Sequence, residues 1–264
     1  MIEVDERHRT NATFGRVEGY SASSYGDAFA DVYDEWYHGV SDVDATVTEL
    51  LELAGDGPVL ELGVGTGRLA VPLGEAGADR GLRVLGVDAS SAMLERLAAR
   101  DPLGRVEAIH GDMVDDLPTG PFSLVYVAYN TLFNLTAPGA HAACFEAVAA
   151  RLRPGGRFVV EAFVPWDPPR RGDDISVRSL TADRVVLSVS VHHPDERTAE
   201  GQFVELSEAG GVRLRPWSIR YATPAELDRI AADAGLALEH RWEAFGGVAF
   251  TDGSERHVSI YRAP

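Results

Sequence analysis

The chain has 264 residues, of which 45% are hydrophobic and 25% charged, as in an ordinary globular protein. Its formal net charge of −17 disfavours binding to nucleic acids. No apolar run approaches the roughly 18–20 residues needed to span a bilayer, and the charged start MIEVDERHRTN does not resemble a secretory signal. The single cysteine, Cys144, excludes an internal disulfide and a multi-cysteine zinc site. We therefore expect a cytoplasmic protein with no metal, nucleic-acid partner or membrane partner.

Helices and strands alternate over most of the chain. Residues 1–24 carry little periodicity and are predicted to form an N-terminal arm, and the main domain is predicted over 25–264. Apolar side chains at helical spacing predict a helix over residues 27–38, DAFADVYDEWYH, and a second helix over Val43–Leu53. The next predicted strands are Val59–Leu62, Val84–Asp88, Val106–His110, Phe122–Ala128 and Arg157–Phe163, with helices over Arg68–Ala76, Ser91–Arg100 and Gly139–Leu152. Such alternation predicts a doubly wound α/β sheet.

The region from 175 to 220 interrupts this alternation. ISVRSL, RVVLSVSVHH, AEGQFVEL and VRLRPWSIRYA follow one another like antiparallel strands, with no helix between them. We predict an inserted antiparallel β lobe at about 170–221. TPAELDRIAADAG then supplies an N-cap threonine, a proline at the first helical position and a glycine stop. Two last strands are predicted over Ala237–Glu243 and His257–Arg262.

A glycine turn joins the first predicted strand to the following helix in PVLELGVGTGRLAVPL, residues 58–73. Such turns need positive φ values and close backbone approach to a ligand, and the helix N-terminus behind them attracts negative charge. Dinucleotides and S-adenosylmethionine (SAM) are both held in this way. The dinucleotide fingerprint G-x-G-x-x-G does not fit, because the third glycine, Gly67, arrives one residue early and Arg68 takes the fingerprint position. An anionic Glu61 before the turn suits a ligand with an ammonium group.

Two further acidic positions fit a nucleoside ligand. Asp88 ends the second predicted strand, where a carboxylate can accept hydrogen bonds from both ribose hydroxyls of either NAD or SAM. Asp112 and Met113 end the third strand, where they can meet the amino group and ring face of an adenine. An acid followed by an apolar residue is the more typical of SAM sites.

In this order the motifs VLELGVGTGRLA, GVDASSAML, GDM, FSLVYVAYNTLFNL and LRPGGRFVVE resemble those of the class I SAM-dependent methyltransferases. The resemblance covers about residues 25–165 together with the C-terminal helix and strand pair. The resemblance implies a seven-stranded Rossmann-like methyltransferase sheet and SAM as cofactor. It implies that the glycine turn passes under the methionine portion, that Asp88 holds the ribose, and that Asp112 with Met113 recognises the adenine. The cofactor-binding residues it implies are Tyr25, Tyr33, Glu61, Gly63, Gly65, Thr66, Gly67, Asp88, Ala89, Met93, Gly111, Asp112, Met113, Ala128 and Tyr129.

The phrase ADVYDEWYHG and the inserted lobe resemble the small-molecule branch of that family, which includes sugar N-methyltransferases and glycine-type N-methyltransferases. There the N-terminal helix covers the cofactor and the insert forms a wall of the acceptor pocket. The catalytic candidates are Tyr33, Tyr37, Asn130 and Glu161, and Glu161 could receive a proton or orient an amine. The predicted acceptor-binding residues are Asn130, Phe133, Asn134, Trp166 and Arg220. Core packing of the tyrosines and helix capping by the asparagines are left open.

The resemblance implies methyl transfer from SAM to a nitrogen or oxygen of a small molecule, such as a natural-product or amino-sugar intermediate. YNTL stands where amino methyltransferases of DNA carry [DNS]-P-P-[FY], and YNTLFNLT offers no acidic metal ligand. Two alternatives are an NAD-dependent oxidoreductase and a SAM-binding protein that does not methylate. A homodimer is left open.

Overall fold

The computed structural model describes residues 17, 19–169 and 172–264. Most of the predicted arm, residues 1–16 and 18, lies outside the described residues, as do residues 170 and 171 at the start of the predicted lobe. The helices are α1 (Ser24–Phe29), α2 (Tyr33–Tyr37), α3 (Val43–Ala54), α4 (Ala70–Ala76), α5 (Ser91–Arg100), α6 (Ala140–Ala149) and α7 (Pro224–Asp233), with 3-10 turns at Ala78–Arg80 and Thr131–Asn134. The strands are β1 (Val59–Leu62), β2 (Val84–Asp88), β3 (Val106–His110), β4 (Phe122–Val127), β5 (Leu152–Phe163), β6 (Asp174–Leu180), β7 (Arg184–His193), β8 (Thr198–Ser207), β9 (Gly211–Arg220), β10 (Ala237–Ala244), β11 (Val248–Ala249) and β12 (Arg256–Arg262).

The main sheet has the order β11-β10-β12-β5-β4-β1-β2-β3. Strands β1 to β5 are parallel, and the β10–β12 and β12–β5 pairs are antiparallel. Strand β1 lies in the middle, with Val59 opposite both Val84 of β2 and Leu124 of β4. From β1 the chain continues in one direction across the sheet, through β2 and β3, and from β4 it continues in the opposite direction, through β5. A ligand crevice is expected at the carboxyl ends of β1 and β4, because the loops that follow them leave in opposite directions.

Alternating side chains of the buried strands form two cores, one on each face of the main sheet. On one face, Leu60 and Val125 join Phe145 of α6 and Leu227 of α7. On the other, Val59, Leu124 and Tyr126 join residues of α3, α4 and α5. The doubly wound α/β class predicted from the sequence is therefore confirmed.

Two helix N-termini are fixed by side chains. The Ser90 hydroxyl accepts a hydrogen bond from the Met93 N–H at 3.2 Å and so caps α5 directly after β2. At α7, Thr223 and Glu226 form a reciprocal capping box with Pro224 at the first position. Both helices consequently begin at defined points beside the sheet edge.

The predicted insertion forms a separate four-stranded antiparallel sheet, β6-β7-β8-β9. We call it the lobe, Asp174–Arg220. Helices α1 and α2 with their connection, Ser24–Tyr37, lie between the lobe and the crevice and are called the cap. Phe203 of the lobe meets Phe29 and Trp36 of the cap edge-on, with ring centroids 5.7 Å apart in both pairs. A third apolar cluster thus joins cap and lobe.

The predicted single helix over 27–38 is wrong, since the segment forms two short helices. Arg215 of β9 donates a hydrogen bond to the Ala28 carbonyl oxygen, which in a continuous helix would accept from the Val32 N–H. The Val32 N–H instead bonds to the Phe29 carbonyl oxygen at 3.0 Å. A contact from the lobe therefore ends α1 early.

Two further differences concern strands. Strand β5 begins at Leu152 instead of Arg157, because Leu152 pairs with Phe122 and the Pro-Gly-Gly turn becomes an irregularity inside the strand. The main sheet has an eighth strand, β11, of only two residues, which is too short to give a periodic signal. In the described part of the chain no helix is long and apolar enough to cross a membrane. No cluster of His, Cys, Asp or Glu suited to a metal occurs among the same residues.

Candidate functional site

A pocket opens at the carboxyl ends of β1, β2 and β4, where the strand order reverses. Its empty space is about 650 Å³, counting the solvent at its mouth, a size that suits a small-molecule ligand. Loops from the sheet form its floor and the cap forms its roof. The lining residues are Ala22, Tyr25, Gly26, Tyr33, Gly63, Gly65, Val87, Asp88, Ala89, Met93, Asp112, Met113, Thr131, Asn134 and Leu135.

The glycine turn after β1 forms one wall. Gly63 and Gly65 have φ values of 65° and 55°, which other residues adopt only with strain. A Cβ on Gly63 would lie 2.3 Å from Cγ2 of Thr131, whereas one on Gly65 would meet nothing nearer than 4.0 Å. Gly67 serves packing instead, since a Cβ there would lie 2.9 Å from Val71. The backbone at 63 and 65 therefore lines the pocket directly.

Asp88 at the end of β2 joins the glycine turn to α5. Its Oδ2 accepts the Gly65 N–H at 2.8 Å, and its Oδ1 accepts the Ser90 N–H at 2.9 Å. Burial raises the pKa of Asp88, although these two backbone hydrogen bonds lower it. Each carboxylate oxygen keeps a further lone pair beside the pocket, so Asp88 can accept two ligand hydroxyls.

The end of the pocket beyond Asp88 is formed by Ala89, Met93, Asp112 and Met113. Asp112 Oδ1 accepts the Val114 N–H at 2.7 Å, which fixes the turn after β3. This end combines apolar surface with one carboxylate, as a flat ring with an exocyclic amino group requires. Gly111 is absent from the lining; a Cβ there would lie 2.5 Å from Cβ of Asp116, so its place is a packing position.

Glu61 lies behind the glycine turn and is absent from the pocket lining. It is buried, and its Oε2 accepts the hydroxyl of Tyr126 at 2.7 Å. Burial raises the pKa of Glu61 to about 8, against the opposing effects of Tyr126 and Arg68. The carboxyl is thus mainly neutral near pH 7, whereas the sequence analysis took it to be anionic.

Arg68 follows the turn, and the sequence analysis gave it no role in the site. Its Nη1 donates to the Ser41 hydroxyl at 2.6 Å. Its charge lowers the pKa of Glu61 and of Glu161, in both cases against the larger effect of burial. The charge of Arg68 also lowers the pKa of the pocket-lining Tyr33, again against the larger effect of burial. A guanidinium therefore lies near the glycine-turn end of the pocket.

The cap contributes three tyrosines. Tyr25 and Tyr33 line the pocket. Tyr37 is buried behind them and accepts a hydrogen bond from the Tyr25 hydroxyl at 3.1 Å. Burial raises the pKa of Tyr25 and of Tyr33 above the ordinary value. Both therefore act as neutral phenols that can donate or accept hydrogen bonds.

Polar contacts fix the cap to the main domain. The hydroxyl of Thr66, a predicted cofactor residue, is buried and donates to Asp34 of α2 at 2.7 Å. Arg100 of α5 pairs with the other Asp34 oxygen at 2.7 Å. Asp27 of α1 accepts the Ser90 hydroxyl at 2.6 Å. Thr66 thus holds the cap and is not part of the pocket wall.

The loop after β4 lies against β5. The Tyr129 N–H donates to Glu161 Oε2 at 2.9 Å, and the Asn130 side-chain oxygen accepts the Phe163 N–H at 2.6 Å. Burial raises the pKa of Glu161. Ala128 is buried beneath this loop, and the Tyr129 ring lies edge-on to Tyr37, with centroids 5.8 Å apart. Asn130 and Glu161 hold this loop in place.

The predicted acceptor residues do not all meet at the pocket. Asn134 lines it. Phe133 is buried in the core, 5.0 Å from the Phe163 ring, because the 3-10 turn points it inward. Trp166 is exposed in the loop after β5. Arg220 donates to the carbonyl oxygens of Thr136 and Glu196, at 2.8 and 2.6 Å, and so serves the backbone.

Five lining residues were missed by sequence reasoning: Ala22, Gly26, Val87, Thr131 and Leu135. Gly26 carried the clearest signal, as a glycine directly before the predicted helix over 27–38. A Cβ there would lie 2.4 Å from Cβ of Ser90, so α1 can approach α5 closely only with glycine at this position.

Comparisons with known proteins agree with this geometry. Residues 59–156 match a family described as a methyltransferase domain. The chain is 31% identical over 208 residues to the cypemycin N-terminal methyltransferase of a Streptomyces species. The aligned region covers 76% of this chain and 81% of that protein. The structure is similar to the CcbJ methyltransferase from Streptomyces caelestis, at 38% identity and a TM-score of 0.84, covering 92% of this chain and 99% of the other. The sugar N-methyltransferase KedS8 from Streptoalloteichus shares the fold, at 23% identity and a TM-score of 0.65, covering 95% of this chain and 100% of the other.

The crevice, its glycine turn and these relatives define an α/β enzyme that binds a nucleoside cofactor. The chain belongs to the SAM-dependent methyltransferases. This membership decides against the two alternatives left by the sequence, an NAD-dependent oxidoreductase and a protein that binds SAM without methylating.

Proposed function

We propose that this methyltransferase acts on a nitrogen atom of a small-molecule acceptor, such as a natural-product or amino-sugar intermediate, with oxygen as the second candidate. The observation that carries the proposal is one pocket in which the glycine turn, Asp88 and two neutral tyrosines meet. Carboxylates lie at the nucleoside end of that pocket, and phenol groups lie under the cap.

The residues of the chain fit SAM from end to end. When bound, SAM supplies a methyl group on a positively charged sulfur. Asp88 holds the ribose hydroxyls, since its two oxygens are already oriented by the Gly65 and Ser90 amides. Asp112 and Met113 hold the adenine. Arg68 is assigned to the carboxylate of the methionine portion, because it follows the glycine turn directly in the chain and its charge acts on Glu61 and Tyr33.

Nitrogen is favoured by the kind of groups around the pocket. A hydroxyl acceptor requires a general base, whereas an unprotonated amine attacks through its own lone pair. None of the described lining residues is a histidine, and Asp88 and Asp112 are its acids. Glu161, the predicted proton acceptor, already binds the Tyr129 amide. The relative that is 31% identical is named for methylation at an N-terminus.

The tyrosines of the cap are proposed to hold the acceptor against the methyl group. Alignment of an attacking atom about 3–3.5 Å from the transferred carbon provides most of the catalysis that such a reaction needs. Tyr37 is tied to the pocket wall through the Tyr25 hydroxyl. Phenol oxygens at these positions can accept a hydrogen bond from an amine and so direct its lone pair.

The first test measures binding of S-adenosylhomocysteine, the demethylated cofactor, to wild type and Asp88→Asn by calorimetry. Asp88→Asn removes a charged acceptor of hydrogen bonds. Binding of S-adenosylhomocysteine is therefore expected to weaken at least about tenfold. Asp115→Asn, an equal charge change on a neighbouring exposed residue, serves as the control. Equal affinity in wild type and Asp88→Asn would refute the ribose assignment.

The second test measures methyl incorporation from labelled SAM into matched amines and phenols. We expect amines to be methylated faster, and Tyr37→Phe to lower turnover several-fold while the affinity for SAM is retained. Methylation of phenols alone would refute the choice of nitrogen.

A further inference from the structure

Arg178 of the lobe faces a group of aromatic rings beside the proposed acceptor site. It has no carboxylate partner among the described residues. The Cζ of Arg178 lies 4.8 Å from the ring centroid of Trp36, 5.3 Å from that of Tyr37 and 5.0 Å from that of Phe203. These rings form an aromatic cage that favours a cation electrostatically. Within the described residues the hydrogen bond of Arg178 is long, 3.4 Å from Nη2 to the Trp36 carbonyl oxygen.

The backbone of β6 directs Arg178 toward this cage. Val177 pairs with Leu187 of β7 and Ser179 pairs with Val186, so Arg178 is an extra residue between two consecutive pairs. Such a bulge redirects a side chain, and bulges are frequent beside active sites. An edge strand thereby places a guanidinium on the side of the lobe that faces the cap, where Arg178 stays exposed to solvent.

Neighbouring arginines of the lobe differ from Arg178 in their partners. Arg184 pairs with Glu35, and both Arg213 and Arg215 pair with Asp31. For Arg178, no ion pair occurs within residues 17, 19–169 and 172–264. The guanidinium offers five N–H donors in a planar fork, which suits a carboxylate or a phosphate.

Arg178 lies close to the proposed acceptor site. Tyr37 is in its cage and is bonded to Tyr25 of the pocket wall. Its charge also opposes the rise in pKa that burial causes at Tyr129. Arg68 acts on Tyr129 as well, so the two arginines approach this ring, and Arg68 is already assigned to the cofactor.

We propose that Arg178 binds an acidic oxygen group of the acceptor, so that the preferred substrates are amines that also carry a carboxylate or a phosphate. The proposal rests on the proposed function, because it takes the space under the cap as the acceptor site. The aromatic cage holds the guanidinium of Arg178 in position. The acidic group of the acceptor supplies the negative charge that no described residue provides in an ion pair.

The test uses two matched pairs of amines: phenylalanine with phenylalaninamide, and phosphoethanolamine with ethanolamine. Each is titrated by calorimetry into the full chain saturated with S-adenosylhomocysteine, and methyl transfer from SAM is measured in parallel. The variants are Arg178→Gln, Arg178→Lys and the control Arg229→Gln, which removes one exposed charge on α7.

Wild type is expected to prefer the acidic member of at least one pair by about 10- to 100-fold, the usual effect of a charge-assisted hydrogen bond. Arg178→Gln should lose this preference, Arg178→Lys should keep part of it, and Arg229→Gln should keep all of it. The responding pair distinguishes carboxylate from phosphate. Absence of any preference in wild type, or its persistence in Arg178→Gln, overturns the proposal. Failure of wild type to bind S-adenosylhomocysteine would instead refute the proposed function.

Discussion

The side chain of Glu161 accepts the backbone N–H of Tyr129 at 2.9 Å, and the Glu161 carbonyl oxygen accepts the N–H of Asn130 at 3.0 Å. Tyr129 and Asn130 have positive φ values of 44° and 66°, which are unfavourable for residues with a side chain. Glu161 therefore stabilises a strained loop beside the cap tyrosines. This relationship favours a positioning role over proton transfer.

Glu161→Gln is accordingly expected to keep most of the activity, because a glutamine oxygen can accept the same N–H. Steady-state turnover should change less than about threefold, whereas loss of a general base costs roughly 10²–10⁴-fold. Glu161→Ala, which leaves the Tyr129 N–H without its acceptor, should be the more damaging variant. A drop of about 100-fold in Glu161→Gln, with the pH profile altered, would show that Glu161 handles the proton.

Arg68→Gln is expected to weaken binding of SAM about 10- to 100-fold, because a charged partner of the ligand carboxylate is lost. Binding of 5′-methylthioadenosine, which lacks the amino-acid portion, should not change. Both affinities are measured by calorimetry. The control is Arg83→Gln, which breaks an exposed pair with Glu107. If both ligands lose affinity equally, Arg68 supports the loop and does not contact the ligand.

Glu61 makes stability depend on pH when no ligand is added. Its folded-state pKa is about 8, above the ordinary value of 4.5, so between those values the folded protein holds a proton that the unfolded chain has lost. The free energy of unfolding therefore falls as pH rises through this window, by at most about 5 kcal/mol.

Glu61→Gln stays neutral and should lack this fall. Urea denaturation at about pH 5 and about pH 8 would measure it, with Glu107→Gln on the surface as the control. Parallel pH dependence in wild type and Glu61→Gln would contradict the raised pKa.

Alanine substitutions at two glycines can distinguish the cost of backbone strain from the cost of a steric clash. Gly63 and Gly81 have φ values of 65° and 67°, but only at Gly63 does an added Cβ meet a neighbour, Cγ2 of Thr131 at 2.3 Å. Gly81→Ala should cost about 1 kcal/mol of stability from φ alone. Gly63→Ala should cost more and should also weaken SAM binding. Equal losses of stability, with unchanged SAM affinity, would remove Gly63 from the pocket wall.

The elements that the sequence predicted well depend on local patterns. Strands β1 to β4 and the turn at Gly63 and Gly65 follow from apolar runs and glycine spacing over a few residues. The break after Phe29 was missed because its cause, Arg215 on the Ala28 carbonyl oxygen, comes from the lobe. The bulge at Arg178 likewise depends on the register with β7, which no periodicity within β6 reveals.

The placement of side chains around the site was harder to predict. Asp88, Asp112 and Tyr25 lie on the pocket because their strand ends and helix face fix their direction. Phe133 and Arg220 turn away, toward the core and toward backbone carbonyls, and such orientations are decided by three-dimensional packing. The neutral state expected of Glu61 also follows only from its burial.

Arg215, only 1% exposed, pairs with Asp31 of the cap and with Glu205 of the lobe. Separating the cap from the lobe would break the ion pair of Arg215 with Asp31 and its hydrogen bond to the Ala28 carbonyl oxygen, whereas its pair with Glu205 lies within the lobe and would stay. We therefore expect the cap and the lobe, which these contacts join, to move together. Release of the demethylated cofactor and entry of the next acceptor would then share one opening motion, so a substitution that slows one exchange is expected to slow the other.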